Sequence, residues 1–353
     1  MNLNDKTFLG IMSGTSLDGL DLALCQFNED TTHTHFKLLA SQTIAYSNGW
    51  KEQLNSVYNK SALDYFKLHS LYGSFIAEQV TTFLNKNKLK ANYIASHGHT
   101  IFHQPELGFS TQIGCGATIA AKTGIDTICD FRGLAVALNG QGAPLVPIGD
   151  RDLFSTNEAC LNIGGIANIS FTKNNSTKAF DICLANILLN YLSNSLGFDY
   201  DESGKLAAKG NSNESLLKEL VSINTQQKSI GRELFENTFS PILNAHTIST
   251  EDKLATCVHY MVIKINDTLN ANNLKSLLIT GGGAYNTYFI NQLKKVYNGQ
   301  ITIPEKEIIE FKEAIIFAYL GYLRIKEKPN SLASVTHSKY DNSGACVYLG
   351  KKD

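Results

Sequence analysis

The stretch FLGIMSGTSLDGLDLALCQF, residues 8–27, decides the fold. Its first part, within KTFLGIMSG, is an apolar run expected as a buried strand. Its last part, LDLALCQF, alternates, so that Leu20, Leu22 and Leu24 share one face of a second strand. Between the two lie Gly14, Thr15, Ser16, Leu17, Asp18 and Gly19. Two strands joined by a loop of this composition predict a hairpin. Glycine in such a turn lets backbone N–H groups approach an anion with no Cβ in the way.

The design recurs further along. EACLNIGGIANISF (158–171) is again strand, Gly-rich turn and strand, with Gly164 and Gly165 at the turn. LKSLLITGGGAYN (274–286) is a buried strand feeding Gly281, Gly282 and Gly283 at an expected helix start. One glycine turn is most simply a structural turn. Three, each directly after an apolar strand, point to a nucleotide phosphate site, where helix N-termini add a favourable dipole. None fits the P-loop pattern, and none is a G-x-G-x-x-G in a βαβ setting, which argues against a Rossmann dinucleotide site.

Around these turns the chain alternates strands and helices. FKLLASQTIAYS predicts a third strand, residues 50–90 a helical region, and YIASHGHTIFHQP a short strand entering a polar loop. DTICDFR predicts a strand ending in charge, and TKAFDICLANILLNYLSNSLG a strand and then a helix ending near Gly197. Residues 213–275 are expected to be helical, KEAIIFAYLGYLRIKE a late buried helix, and the end of the chain loop-rich. The main domain change is placed near the Gly/Pro loop NGQGAPLVPIGD (139–150).

Bulk properties fit a globular protein. The 353 residues suit two domains of ordinary size, with 43% hydrophobic and 18% charged residues. Thirty-one basic and 32 acidic residues leave a formal charge of −1. No global field steers the chain toward nucleic acid or an anionic membrane. The seven cysteines form no C-x-x-C pair and are expected as reduced thiols in a cytoplasmic setting. No apolar run is long enough to cross a bilayer, and no signal peptide is evident.

Two phosphate-type hairpins followed by a strand–GGG–helix resemble the actin, sugar kinase and Hsp70 superfamily. That resemblance implies an α/β, two-lobed actin-like ATPase (ribonuclease H-like) fold, with a nucleotide cleft between the lobes. One lobe would comprise residues 1–133 plus about 327–353, the other residues 134–326. It also implies ATP and Mg²⁺, with Asp18 reaching the metal directly or through water. The ordered set GIMSGTSLDGLD, SHGHTIFHQP, GQGAPLVPIGD, NIGGIANIS, FDICLANILLN, YDESGKLAAKG and GGGAYN is similar to the 1,6-anhydro-N-acetylmuramic acid kinases of bacterial peptidoglycan recycling. The match spans nearly the whole chain. It implies conversion of 1,6-anhydro-N-acetylmuramic acid to N-acetylmuramic acid 6-phosphate. Water opens the anhydro bridge at C1, and O6 takes the γ-phosphoryl group. The family is often dimeric, so a homodimer is expected.

Residue by residue, the resemblance makes Asp181 the base for that water; the other reading of Asp181 is a helix N-cap. Gly14 to Gly19, Gly164, Gly165, Asn168, Gly281 to Gly283 and Asn286 would hold ATP, although the two asparagines also suit local caps. His97, Gly98 and Thr100 lie in a sugar-contacting loop, or His97 is a structural histidine. Arg132 would grip the lactyl carboxylate of the sugar or form an interdomain salt bridge. Gln141 and Pro144 sit in the joining loop, and Glu313 is either a sugar contact or an exposed helix charge. The chain departs from the family pattern at several points. FDTGPGN has become FDICLAN, keeping Asp181 and Asn186. An acid expected three residues after Arg132 is Ala135. A glycine is Asn139, a glutamine is His99, and V-T-G-A is VTHS with His337 and Ser338. These departures leave room for a kinase acting on a different sugar, or for an ATP-binding sensor without turnover.

Overall fold

The computed structural model describes residues 3, 5–14, 17–30, 33–223 and 230–351. The strands are β1 (Thr7–Ser13), β2 (Gly19–Glu29), β3 (Thr34–Ala45), β4 (Tyr93–Gln104), β5 (Phe109–Ile113), β6 (Asp126–Cys129), β7 (Ala159–Ile163), β8 (Ile166–Lys173), β9 (Ser176–Leu184), β10 (Ser276–Thr280), β11 (Gln300–Thr302) and β12 (Cys346–Tyr348). They fall into two compact units. The first comprises residues 1–155, 174–177 and 311–353; the second comprises 156–173 and 178–310. The borders placed from sequence at 133/134 and about 326/327 both lie inside the first unit. The loop 139–150 and most of the late helix Lys306–Ile325 pack with the first unit's sheet.

In the first unit the opening stretch forms the expected hairpin. β1 and β2 pair antiparallel from Thr7↔Gln26 to Ser13↔Leu20, and β2 pairs antiparallel with β3. β1 then pairs parallel with β4, and β4 with β6. The sheet order is β12-β6-β4-β1-β2-β3, with β5 hydrogen-bonded to β4. Leu20, Leu22 and Leu24 do share a face. With Leu9 and Ile11 they pack on Tyr72, Ile76, Val80 and Phe83 of the helix Ala62–Asn87. Each such fully buried apolar side chain contributes about 1.5–3 kcal/mol. The other face meets the helix Lys306–Ile325. Phe8 stacks on Tyr93 at 4.8 Å and meets Tyr322 edge-on at 5.5 Å. Gly10 is fixed by this contact, because a Cβ there would collide with the Ala314 carbonyl oxygen and lie 2.7 Å from the Ala318 nitrogen.

The second unit repeats the plan. β7 and β8 pair antiparallel, β10 pairs parallel with both β7 and β11, and the order is β11-β10-β7-β8-β9. With β5 and the edge strand β12 set aside, both units follow 3-2-1-4-5 by position, with a hairpin between positions 1 and 2 and parallel neighbours from 1 to 5. This is the α/β arrangement that the strand–turn–strand repeats predict. Its core joins Leu161, Ile163 and Ile169 to Tyr260, Met261 and Ile265 of the helix Thr250–Asn272, and to Phe289 and Leu293 of the helix Thr287–Val296.

Several local expectations change. Residues 50–90 hold two helices, Asn48–Ser56 and Ala62–Asn87, each capped by a serine side chain, Ser47 and Ser61. The polar loop expected after YIAS is instead the second half of β4, because it pairs with β5. The segment from Val146 in the Gly/Pro loop begins the helix Val146–Leu153, with Pro147 in its first turn. Among the described residues, no helix is long and apolar enough to cross a membrane.

Candidate active site

In the first unit, the turn after β1 is built on a buried network. Ser13 Oγ lies 2.7 Å from Tyr46 Oη and 2.9 Å from His99 Nδ1, and Tyr46 Oη lies 2.5 Å from Tyr72 Oη. His99, standing where the family pattern has glutamine, thus ties β4 to the end of β1. Burial holds its imidazole below the usual range. Gly14 follows directly and accepts a hydrogen bond from the Leu17 nitrogen at 3.3 Å, and Leu17 takes a positive φ of 59°. Asp18 is exposed. Thr15 and Ser16 lie outside the described residues. Gly19 belongs to β2, where a Cβ would press on Thr43 and on the Ile44 carbonyl, so its smallness serves the β2–β3 contact.

His97 and Arg132 come together although 35 residues separate them. Arg132 Nε and Nη2 approach His97 Nε2 at 3.1 and 3.0 Å, and Arg132 Nη1 donates to the Gly142 carbonyl at 2.8 Å. Guanidinium only donates, so His97 Nε2 is an acceptor and the ring proton sits on Nδ1. Nδ1 then donates to the Gly98 carbonyl at 2.9 Å. Burial, then the Arg132 charge, holds the His97 pKa down to about 3, so the ring is neutral. The same burial lowers Arg132 to about 10, which leaves it fully charged. Thr100 is half-buried on β4, opposite Gln112.

Glu313 interacts electrostatically with the same arginine. The residue keeps exposed surface, yet burial of its carboxyl raises its pKa; Asp21 and Asp150 add to the rise, while Lys312 and Arg132 oppose it. Lys312 and Asp150 form a buried ion pair at 2.8 Å, with side chains 6% and 7% exposed. Neither Asp21 nor Asp150 was singled out from sequence. Their motifs, GLDLAL and VPIGD, contained the acids without saying which way they face. Ala135, where the pattern has an acid, is wholly buried in the short helix Gly133–Ala137. Gln141 and Pro144 are exposed in their loop, which the Gln141 nitrogen anchors to the Thr336 carbonyl at 2.6 Å. That contact brings VTHS against NGQGAP, and a Cβ at Gly140 would collide with Ser338. Asn139 has a φ of 61°, a conformation asparagine tolerates better than most residues, so it can replace a glycine there.

In the second unit, the two glycine turns meet. A Cβ at Gly281, whose φ is 79°, would lie 2.6 Å from Asn162 Oδ1, and one at Gly283 would strike Ile163. The Gly164 and Gly165 carbonyls accept from the nitrogens of Asn186 at 3.1 Å and Ala185 at 2.9 Å. Asn186 Nδ2 also donates to the Ile163 carbonyl at 3.3 Å. Asn168 is half-buried, opposite Asn162 in the β7–β8 ladder. Asn286 is buried and caps the helix Thr287–Val296, accepting from the Phe289 nitrogen at 2.9 Å. Asn162 and Asn186 are therefore placed at the turns as well; the retention of Asn186 within FDICLAN was the available pointer.

Asp181 lies within β9, three residues before its end, and the helix Asn186–Asn194 begins with Ala185 in the cap position. The N-cap reading of Asp181 is thus excluded. Its side chain is accessible, and partial desolvation raises its pKa above the usual carboxylate value. The altered segment is not an open loop. Ile182, Cys183, Leu184 and Ala185 are 6%, 0%, 0% and 0% exposed and belong to the second unit's core. Ile182, Cys183 and Leu184 continue β9 to its end, where the glycines and proline of the usual pattern would disfavour a strand.

The residues fit a magnesium–nucleotide complex. Mg²⁺ is usually held by one or two carboxylates together with phosphate oxygens and water, not by a protein cage. Among the described residues no group of three or more His, Cys, Asp or Glu is arranged to hold a metal, whereas the single accessible Asp18 stands at the first turn.

The sequence pattern of the anhydro-N-acetylmuramic acid kinase family matches residues 6–349. An anhydro-N-acetylmuramic acid kinase of Haemophilus influenzae is 35% identical, over 96% of this chain and 97% of its own. That of Vibrio parahaemolyticus is 34% identical over 94% and 95%. That of Coxiella burnetii is 36% identical over 98% of each.

Proposed function

Because the chain belongs to the anhydro-N-acetylmuramic acid kinase family, we propose that it converts 1,6-anhydro-N-acetylmuramic acid and ATP into N-acetylmuramic acid 6-phosphate and ADP, a cytoplasmic step in peptidoglycan recycling. The observation that carries this reading is the family match along almost the whole chain, with Asp181 retained and accessible. The Asp181 carboxylate takes a proton from water as the water oxygen bonds to C1. The C1–O6 bond breaks, O6 receives the γ-phosphoryl group, and ADP leaves. Such a transfer depends chiefly on alignment and charge neutralisation.

Each unit contributes its own groups to this reaction. In the first, Gly14 to Asp18 cradle the phosphates, and Asp18 holds Mg²⁺ directly or through water. When bound, Mg²⁺ neutralises charge on the transferring phosphoryl group. Arg132 binds the lactyl carboxylate. Three of its five N–H donors are engaged by His97 and Gly142, which leaves hydrogens on the terminal nitrogens for a bidentate partner. His97 positions that arginine, and Thr100, Gln141, Pro144 and Glu313 line the sugar. In the second unit, Gly164, Gly165 and Asn168 bind phosphate, and Gly281 to Gly283 with Asn286 lie against adenosine. A homodimer through the helix Ala62–Asn87 belongs to the same proposal, supported by the exposed Leu63, Phe66 and Leu71.

A second reading, a kinase for a related anhydrosugar, is favoured by one observation: Ala135 removes a carboxylate that the family pattern places near the sugar. Incubation of 1,6-anhydro-N-acetylmuramic acid with Mg-ATP in ¹⁸O-water separates the two. A 6-phosphorylated product carrying one ¹⁸O at C1 is expected. No product from this sugar, with turnover of another anhydrosugar, transfers the reading to that substrate. ATP binding without turnover of any sugar leaves a sensor and overturns the enzymatic proposal.

A further inference from the structure

Cys115, Cys129 and Cys346 converge on one face of the first unit's sheet, and the proposed reaction uses none of them. Cys129 and Cys346 are direct partners in the antiparallel β6–β12 ladder. Opposed residues put their side chains on the same face, with β-carbons about 4.5–5.5 Å apart. A disulfide needs them about 3.5–4.5 Å apart, so closure takes about 1 Å. β12 is three residues long and forms the edge of the sheet, bonded to it through β6 alone. Such a strand has no second strand partner in the sheet to hold it against a shift of that size.

The face is fixed independently by Gly116. A Cβ there would collide with Cys129 Sγ and lie 3.0 Å from Tyr348 Cδ2. Tyr348 is two residues beyond Cys346 and therefore on the same side of β12. Cys129 and Cys346 both point toward the helix Gly116–Thr123, whose cap is Cys115. The pair also closes its ladder. Asp130, after Cys129, and Ala345, before Cys346, have φ of 58° and 95°, so both strands leave the sheet there. Cys346 is exposed, and Cys129 and Cys115 are partly buried.

We propose that Cys129 and Cys346 form a modification site, a reversible disulfide made when the chain meets a peroxide. The Cys346 thiolate attacks hydrogen peroxide; an S–O bond forms, the O–O bond breaks, and water leaves with the thiol proton. The Cys129 sulfur then attacks the Cys346 sulfur, the S–O bond breaks, and a second water leaves carrying the Cys129 proton. Two thiols are oxidised and one peroxide is reduced to two waters. The link ties the chain's last strand to the segment that leads, three residues on, to Arg132.

The test treats the full chain with hydrogen peroxide, blocks remaining thiols and maps peptides without reduction. The expected result is a chain lighter by two hydrogen atoms, a Cys129–Cys346 cross-linked peptide, and its loss on adding dithiothreitol. Cys346→Ser should abolish the link and Cys115→Ser should leave it. A Cys346–Cys115 link, a link between two chains, or stepwise addition of oxygen to Cys346 with no cross-link would each overturn the assignment. Should Cys129→Ser fail to fold, Cys346→Ser, altered only at an exposed edge position, still decides the matter.

Discussion

His97 is neutral in the fold because Arg132 uses its Nε2 as acceptor and burial disfavours the charged ring. A group whose pKa falls from 6.5 to about 3 on folding makes stability depend on pH in a defined direction. Between those values the unfolded chain binds a proton that the folded chain does not. Stability therefore rises with pH across that window and is fully present above it, at about 1.4 kcal/mol per pH unit. Chemical denaturation at pH 7 and pH 5 should show the wild type losing about 2 kcal/mol more than His97→Gln, whose amide oxygen can still accept from the arginine. Equal losses in the two proteins would show that the ring is protonated in the fold. At Asp181 the shift runs the other way. Desolvation raises the carboxyl, so a base at this position loses activity as the pH falls through a value above the ordinary 3.8. Asp181→Asn should lower kcat by about 10²–10⁴-fold and leave ATP affinity nearly unchanged in calorimetry. Loss of ATP binding in that variant would remove Asp181 from the role of base.

The helix Lys306–Ile325 shows how one element serves both stability and the site. Successive residues, Lys312 and Glu313, differ in fate: Lys312 is buried in an ion pair with Asp150, while Glu313 keeps exposed surface and feels the charge of Arg132. A charge that loses its buried partner costs far more than the pair itself contributes, about 3–5 kcal/mol. Lys312→Met is therefore expected to lower unfolding stability by about that amount in urea titrations. The double replacement Lys312→Met with Asp150→Leu should recover a large part of it. A single variant within about 1 kcal/mol of wild type would show that Asp150 does not depend on the lysine. β9 carries a parallel lesson. FDICLAN departs from FDTGPGN at four apolar residues that turn out to be core, and Asp181 is displayed from the strand that three of them continue.

Across the whole molecule, two units of like topology each bring a β-hairpin turn to the end of a sheet whose neighbouring strands run parallel. Ligand binding should stabilise such a fold by mass action, about 2.7 kcal/mol when Mg-ATP is at 100 times its Kd. Thermal unfolding of wild type should move upward with Mg-ATP, and Asp18→Ala should lose most of that shift. An Asp18→Ala enzyme with unchanged Mg²⁺ dependence would take Asp18 out of the metal's surroundings. The sequence by itself determined the hairpins, the glycine turns, the α/β class and the family. Each rests on local rules: alternation over a few residues, the φ freedom of glycine, and motifs read in order. It could not say that His97 serves Arg132, that the charges of Asp21 and Asp150 act on Glu313, that Asn162 and Asn186 join the turns, or that Cys129 opposes Cys346. Those facts were decided by the tertiary structure alone. They join residues tens to hundreds of positions apart, and only sheet register and helix packing choose which side chains meet and which lose their water.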